Sequence, residues 1–478
     1  MGKKHKIEID TFNQGISKDL RTKLIGKCAL AKNFDIFTYQ HKIEPQLALE
    51  DYTFDVDYKI SKFLYDDTNN RILGFGVYGT LCRVYYWNGT AWVEPANNTS
   101  GSGIRNEDMF FQYKGFVYMV GGANLLKRFD ITTSASFADS YQTLVSDDVI
   151  QPVHHLRDDV AYFFASNLVY SLNNVTWNGT VLTLPSGLKI TGATSYGSYL
   201  AILASDDRSI DQKSYVYLWD RDSTLATIDE MIEFGTGNGM YLANLNNKLF
   251  ALIQEKSEKE YKIIVRQLSG QFAVDIDELV SDTTIGIDTN NLTSQVVNNR
   301  LYFPAGAIKD GNTRYGIWEL NETGKLNLYI STSAVTDIKG IFNSGNNLWI
   351  AHDPTGTVSV SVAKLNPTYI NAEYETVIIG DPAVNGKLTS ILIATEPLTS
   401  TGEYKVEYKI DTALGADVWT EIFTEDTNSS IYHDAINIES DGSELPDFRQ
   451  IQFKITSIKG ARITKIVVQY EEYDDNLE

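Results

Sequence analysis

The chain has 478 residues and a formal net charge of −21, from 41 Lys and Arg against 62 Asp and Glu. With 43% apolar residues it is too hydrophobic for wholesale disorder, and 12% aromatics, 34 Gly and only 10 Pro lean toward an all-β chain of more than one domain. The acidic balance argues against tight DNA binding, because gripping a polyanion takes clustered Lys and Arg.

No run of 18 apolar residues is present, so no membrane-spanning helix is expected. The N-terminus, MGKKHKIEIDTFNQG, is charged and lacks the apolar stretch of a secretory signal. The two cysteines, Cys28 and Cys82, read as buried thiols of a reducing compartment, since a chain of this size needs no covalent staple.

Residues 1–60 stand apart. Nine Lys and Arg between Lys3 and Lys42 face six acids in the first fifty residues, making this stretch locally basic. It holds one alternating strand, KIEIDTF, and no core of its own, so it is expected to be an arm packed on its own body or on a neighbouring subunit.

A repeat starts at Asp66. Its unit is a polar turn followed by an apolar strand, as in NNRILGFG, YKGFVYMVG, RDDVAYFFA, YGSYLAILA, NNKLFALI, NNRLYFPAG and GNNLWIAHD. Aligned on Ile72, Val117, Ala161, Leu200, Leu249, Leu301 and Leu348, the copies lie 45, 44, 39, 49, 52 and 47 residues apart. A further strand follows each: VYYWNG, KRFDIT, LVYSLN, YVYLWD, KIIVRQL, YGIWEL and VSVAKL. Spacing of about 46 residues matches one four-stranded propeller blade, which buries its faces only by stacking on neighbours around a ring. The expectation is a β-propeller over 61–370 with about seven blades. Six or eight stay open because terminal blades are often composite, and Val56–Leu64 is the candidate strand for closing the ring.

Beyond Pro367 the repeat ends. Long alternating strands such as EYKVEYKID, FRQIQFKITS and RITKIVVQYEEY predict a β-sandwich over 371–478 that finishes in the acidic tail EEYDDNLE. Movement between domains is expected at 366–374.

Candidate chemistry is sparse. His154-His155 is the only histidine pair, and no Cys or His spacing supplies further metal ligands; His352 stands alone. The runs Asp206–Asp211 and Asp275–Asp282 lack the full calcium-loop pattern and read as solvated loops. GTGNG, at Gly235–Gly239, has no strand–helix context for phosphate and reads as a loop between blades. The Asn-x-Ser/Thr triplets at Asn88, Asn98, Asn174, Asn178 and Asn321 read as polar turns. No catalytic, cofactor-binding or metal-binding residue is nominated. A propeller glycosidase would need paired carboxylates at the ring centre, and the Ser-x-Asp-x-Gly-x-Thr-Trp turns of sialidases are absent. A glycan receptor could use Trp87 and Trp92 as stacking surfaces, but large aromatics more often pack between blades.

Two segments carry a resemblance. The C-terminal strands YKVEYKID…WTEI (Tyr404–Ile422), FRQIQFKI (Phe448–Ile455) and the closing strand to Tyr470 form one; IEIDTFNQGISKD…ALAKNFDI (Ile7–Ile36) forms the other. Together they span about a quarter of the chain. They resemble virion proteins of tailed bacteriophages that join a β-propeller to a C-terminal sandwich, and the whole layout is similar to the tail nozzle or stabilisation proteins of short-tailed phages. The resemblance implies a non-enzymatic virion component without cofactor or metal, assembled in the host cytoplasm. It implies a homo-oligomeric ring in contact with other tail or neck proteins, with genomic DNA as a passing partner only. A tail-tip glycan receptor is the alternative. In the nozzle reading, the acidic surface lines a channel that DNA does not stick to, and the basic arm docks on an acidic neighbour.

Overall fold

The computed structural model describes residues 3–473 except 17–26, 53–58, 67–68, 79–80, 89–91, 94–108, 122–123, 132–137, 147, 207–211, 223–227, 258–260, 282–293, 310–311, 333–337, 345–346, 353–360, 399–401, 427–431 and 434–445. The described chain is all-β, with a single short 3₁₀ turn at Asp411–Gly415 among its named elements. Polar two-residue turns seed the hairpins. Asn246 and Asn247 have φ of 51° and 59°, and Asn298 and Asn299 have 49° and 59°. Positive φ at both central residues is the twist-matched hairpin turn that asparagine tolerates best.

Each repeat copy is the second strand of an antiparallel four-stranded unit in sequential order. Such units cover 59–93, 110–143, 149–183, 188–236, 238–281 and 295–332. The 338–369 unit supplies three strands and takes its fourth, Leu47–Tyr52, from the N-terminal region. The first strands touch one another in a closed cycle: Lys59–Asp66 against Phe110–Tyr113, then Val149–His155, Leu188–Tyr196 and Asn238–Leu245. The 238–281 and 295–332 units meet next, Gln295–Val297 touches Ile338–Ser344, and that strand returns to Lys59–Asp66. This is a propeller-like ring.

Apolar clusters fill the space between successive units, and Trp87 meets Trp349 edge-on at 5.7 Å where the last unit reaches the first. Stacking on both faces explains the continuous apolar runs of the second strands. Tyr199–Asp206 is buried at nearly every position, whereas the outer strand Thr176–Thr183 alternates with solvent. The junctions are tight. A single residue, Gly237 at φ 106°, separates Glu230–Thr236 from Asn238–Leu245, and a Cβ there would lie 2.7 Å from the Gln254 carbonyl oxygen.

The remaining strands form two facing sheets over one core. Lys3–Ile9, Ile463–Tyr473 and Asn385–Thr395 make one face; Cys28–Lys32, Ala372–Thr376, Gln450–Ile458, Glu403–Ile410 and Thr420–Glu425 make the other. Phe12, Phe34, Ile36 and Ile43 from the N-terminal region are buried with Tyr374, Tyr404, Phe453 and Ile466 from the C-terminal region. The second face continues into the ring, because Lys32 pairs in parallel with Leu328 to give one ten-stranded sheet.

The N-terminal region packs on its own body, one of the two alternatives expected, but it does so in two parts: Phe12, Phe34, Ile36 and Ile43 complete the C-terminal core, and Leu47–Tyr52 closes the last four-stranded unit. The closing strand is therefore Leu47–Tyr52 rather than Val56–Leu64. Lys59–Asp66 is instead the inner strand of the first unit, and the apolar composition of FLYD could not tell these two roles apart. Three of the basic residues pair within the chain, Lys32 with Glu373 at 2.7 Å, Lys42 with Glu396 at 2.7 Å and Lys4 with Glu471 at 3.2 Å, while Lys18, Arg21 and Lys23 lie outside the described residues. The 366–374 stretch, where movement was expected, is hydrogen-bonded to the N-terminal region. Ile370 N donates to Gln46 O at 3.0 Å, and Asn33 Nδ2 to Asn371 O at 2.9 Å.

Candidate functional site

The first strands enclose a cavity of about 1050 Å³. Its wall takes residues from Lys59–Asp66, Phe110–Tyr113, Val149–His155, Leu188–Tyr196, Asn238–Leu245 and Gln295–Val297. The mouth lies on the side of the hairpins that join first to second strands, where Leu156, Arg157, Gly197 and Asn247 reach it.

Carboxamides lace the wall. Gln112 Nε2 donates to Asp66 Oδ1 at 3.1 Å, Gln151 Nε2 to Phe110 O at 2.7 Å, and Asn244 Nδ2 to Ser195 O at 2.9 Å. Each bond crosses from one four-stranded unit to the one before it. Because the acceptors are a carboxylate and two backbone carbonyls, the amide nitrogens must face them, which fixes the orientation of all three groups.

No Asp or Glu lines the cavity among the described residues; His154, His155 and Arg157 are its potentially cationic groups. Paired carboxylates of the kind that cleaves glycosidic bonds are likewise not among the lining residues.

The histidine pair sits at the mouth, at the end of Val149–His155. His154 Nε2 is 2.9 Å from Asp159 Oδ1, and its ring meets Tyr113 edge-on at 5.2 Å. His155 is 1% exposed, with Nε2 3.2 Å from Arg221 Nη1 and Nδ1 3.6 Å from Asp158 Oδ2. A guanidinium can only donate, so Nε2 accepts and the proton belongs on Nδ1. Burial first, and Arg221 second, push the His155 pKa down, so the ring stays neutral. Hydrogen bonds from Lys114 and then His154 hold the Asp159 carboxyl below the usual range, and Asp159 raises Lys114 in return. Arg221 clamps Asp158 through Nε and Nη2 and donates to Ser198 O, tying the tips of two neighbouring hairpins.

No three His, Cys, Asp or Glu side chains converge on a metal-sized point among the described residues. Cys28 is a buried thiol with Sγ 3.5 Å from Gly15 O; the Cys82 side chain lies outside the described residues. The stretch Asp275–Asp282, expected as a loop, belongs through Ser281 to the strand Phe272–Ser281, and Asp277 is buried with its carboxyl pushed up by that burial. Asp207–Asp211 and the side chains of Trp92 and His352 lie outside the described residues. Gly235–Gly239, expected as a loop between blades, is mostly strand: Gly235 lies in Glu230–Thr236, Gly239 lies in Asn238–Leu245, and only Gly237 lies between the two units. Sequence reasoning missed Gln112, Gln151, Asn244, Arg157 and Arg221; the repeat alignment rested on second and third strands, whereas the cavity is built from the first.

The strand pairing thus defines an all-β, propeller-like protein around a carboxamide-laced cavity. No family model and no curated protein matches the chain. Solved structures similar to it include the computationally designed Ika8 protein, at 13% identity over 75% of this chain and 100% of that one, with a TM-score of 0.41. The N-terminal domain of Nup159 is similar at 10% identity over 71% of this chain and 100% of that one, with a TM-score of 0.42. The Cps50 (Swd1) β-propeller domain of Myceliophteria thermophila is similar at 8% identity over 67% and 100%, with a TM-score of 0.42. No helix is long and apolar enough to cross a membrane among the described residues.

Proposed function

We propose that this chain is a non-enzymatic structural component of a tailed-bacteriophage virion, a tail or nozzle protein that works as a symmetric ring of copies. In this reading the cyclic units are the blades of a seven-bladed propeller, and the two facing sheets are a β-sandwich completed by the N-terminal region. One observation carries the reading. The two segments that resemble such virion proteins, Ile7–Ile36 and the strands between Tyr404 and Tyr470, lie at opposite ends of the chain yet share a single core. They act as one module.

In this reading the DNA channel runs through the ring of copies, and an acidic surface, in keeping with the chain's net charge of −21, lines it. The expected result is that purified particles contain the protein in a fixed multiple of copies, seen by quantitative mass spectrometry and by symmetric ring density in electron microscopy. Its absence from purified particles overturns the reading. Trp87, a candidate stacking surface for a glycan receptor, is engaged instead with Trp349.

A further inference from the structure

Two neighbouring side chains at the cavity mouth have no hydrogen-bonding or covering partner among the described residues. Leu156 is 81% exposed and lines the same cavity as Ile150 and Val153. Arg157 is exposed beside it, lines the cavity, and makes no hydrogen bond or ion pair among the described residues. The acids next to it are already engaged. Asp158 is held by Arg221, and Asp159 by Lys114 and His154. Among the described residues no Asp or Glu lines the cavity, and Arg157 is the lining guanidinium left without a hydrogen bond or ion pair, next to the exposed Leu156.

We propose that this mouth is a docking site for an extended peptide segment of another protein in which an apolar side chain is followed closely by a carboxylate. The apolar side chain covers Leu156 and the upper wall, and the carboxylate takes the open fork of Arg157, a geometry that favours bidentate pairing. Serine, threonine and carboxamide groups deeper in the wall offer hydrogen bonds to the peptide backbone. The net charge of −21 does not forbid an acidic partner, since at physiological salt charges beyond about 8 Å are screened and the mouth decides locally. The inference is independent of the virion reading; it requires only the cavity and its rim.

The test uses the full chain at about 0.15 M salt and the fluorescence anisotropy of labelled octapeptides alternating Leu-Glu, Leu-Gln and Leu-Lys. The expected result is saturable binding of the Leu-Glu probe, about tenfold or more tighter than the Leu-Lys probe. Arg157→Glu abolishes that preference, Arg157→Gln reduces it, and Leu156→Ala weakens binding about fivefold, all with unchanged circular dichroism. Equal binding of the three probes, or indifference to Arg157→Glu, overturns the proposal. So does competition by free glucuronate at the affinity of the peptide, which assigns the site to small acids. Self-association that depends on Arg157 without any peptide binding also overturns it, in favour of a second copy as the occupant.

Discussion

Glu319 is completely buried, on the third strand of the 295–332 unit, at the place where the ring meets the N-terminal region. Arg300 Nη1 donates to it at 2.5 Å, and the same guanidinium reaches Asp35 at 3.6 Å and Thr38 Oγ1 at 3.0 Å. Tyr302 OH lies 3.4 Å from Glu319 and its ring meets Tyr329 edge-on at 5.0 Å. Burial pushes the Glu319 carboxyl up to about 7; Arg300 opposes this and Asp35 adds to it. A carboxyl raised in the folded state contributes stability that is fully present below its unfolded pKa and is lost as pH rises through the folded one. The window is therefore pH 4.5 to about 7. Wild-type protein is expected to lose about 1–3 kcal/mol from this group between pH 5 and 8, and Glu319→Gln to remove that slope in denaturant titrations at the two pH values. An unchanged slope in the variant refutes the assignment. Nothing in YGIWEL distinguishes this glutamate from a solvated one, because its burial depends on residues of the N-terminal region.

Strands and turns were the readable level. All seven anchors, from Ile72 to Leu348, lie on second strands, and the following runs such as LVYSLN and YVYLWD lie on third strands paired to them. Both signals are local: an apolar run buried on two faces, and a turn residue that tolerates positive φ. First strands were less legible because they are short or irregular, as in the three-residue Gln295–Val297. A pair of glycines tests the packing argument. Gly237→Ala places a Cβ 2.7 Å from a carbonyl oxygen at φ 106°, whereas Gly179→Ala, at φ 71°, meets nothing within 4 Å. The expected cost is about 1 kcal/mol at Gly179, from backbone conformation alone, and about 2 kcal/mol or more at Gly237, from conformation plus overpacking. Thermal unfolding of the two variants gives the comparison. Equal shifts would show that the junction relaxes freely.

For the whole molecule, the two ends of the chain are used twice. Lys3–Ile9 pairs along Ile463–Tyr473, Cys28–Lys32 joins the C-terminal face to the ring, and Leu47–Tyr52 closes the last four-stranded unit. Deleting residues 1–45 strips Phe12, Phe34, Ile36 and Ile43 from their core. Each large apolar side chain removed costs about 2–5 kcal/mol, so the sum exceeds the whole stability of a typical domain. The expected outcome is rapid proteolysis between 372 and 473 while the ring, which keeps Leu47–Tyr52, persists as a protected fragment. Deleting 1–52 should open the ring as well. Limited proteolysis with mass mapping distinguishes the two by the ring fragment; C-terminal strands as well protected in either deletion as in the full chain rule out the shared core.

Sequence by itself determined the all-β class, the repeat of about 46 residues and the second and third strands of each copy, since periodicity and turn chemistry are properties of a few adjacent residues. Tertiary structure decided which distant segments pair. The use of the N-terminal strands in two cores, the burial of Glu319 and a cavity lining without Asp or Glu among the described residues depend on contacts between distant parts of the chain. Such pairings leave no periodic trace in either partner, because an alternating strand fits any open sheet edge of matching pattern.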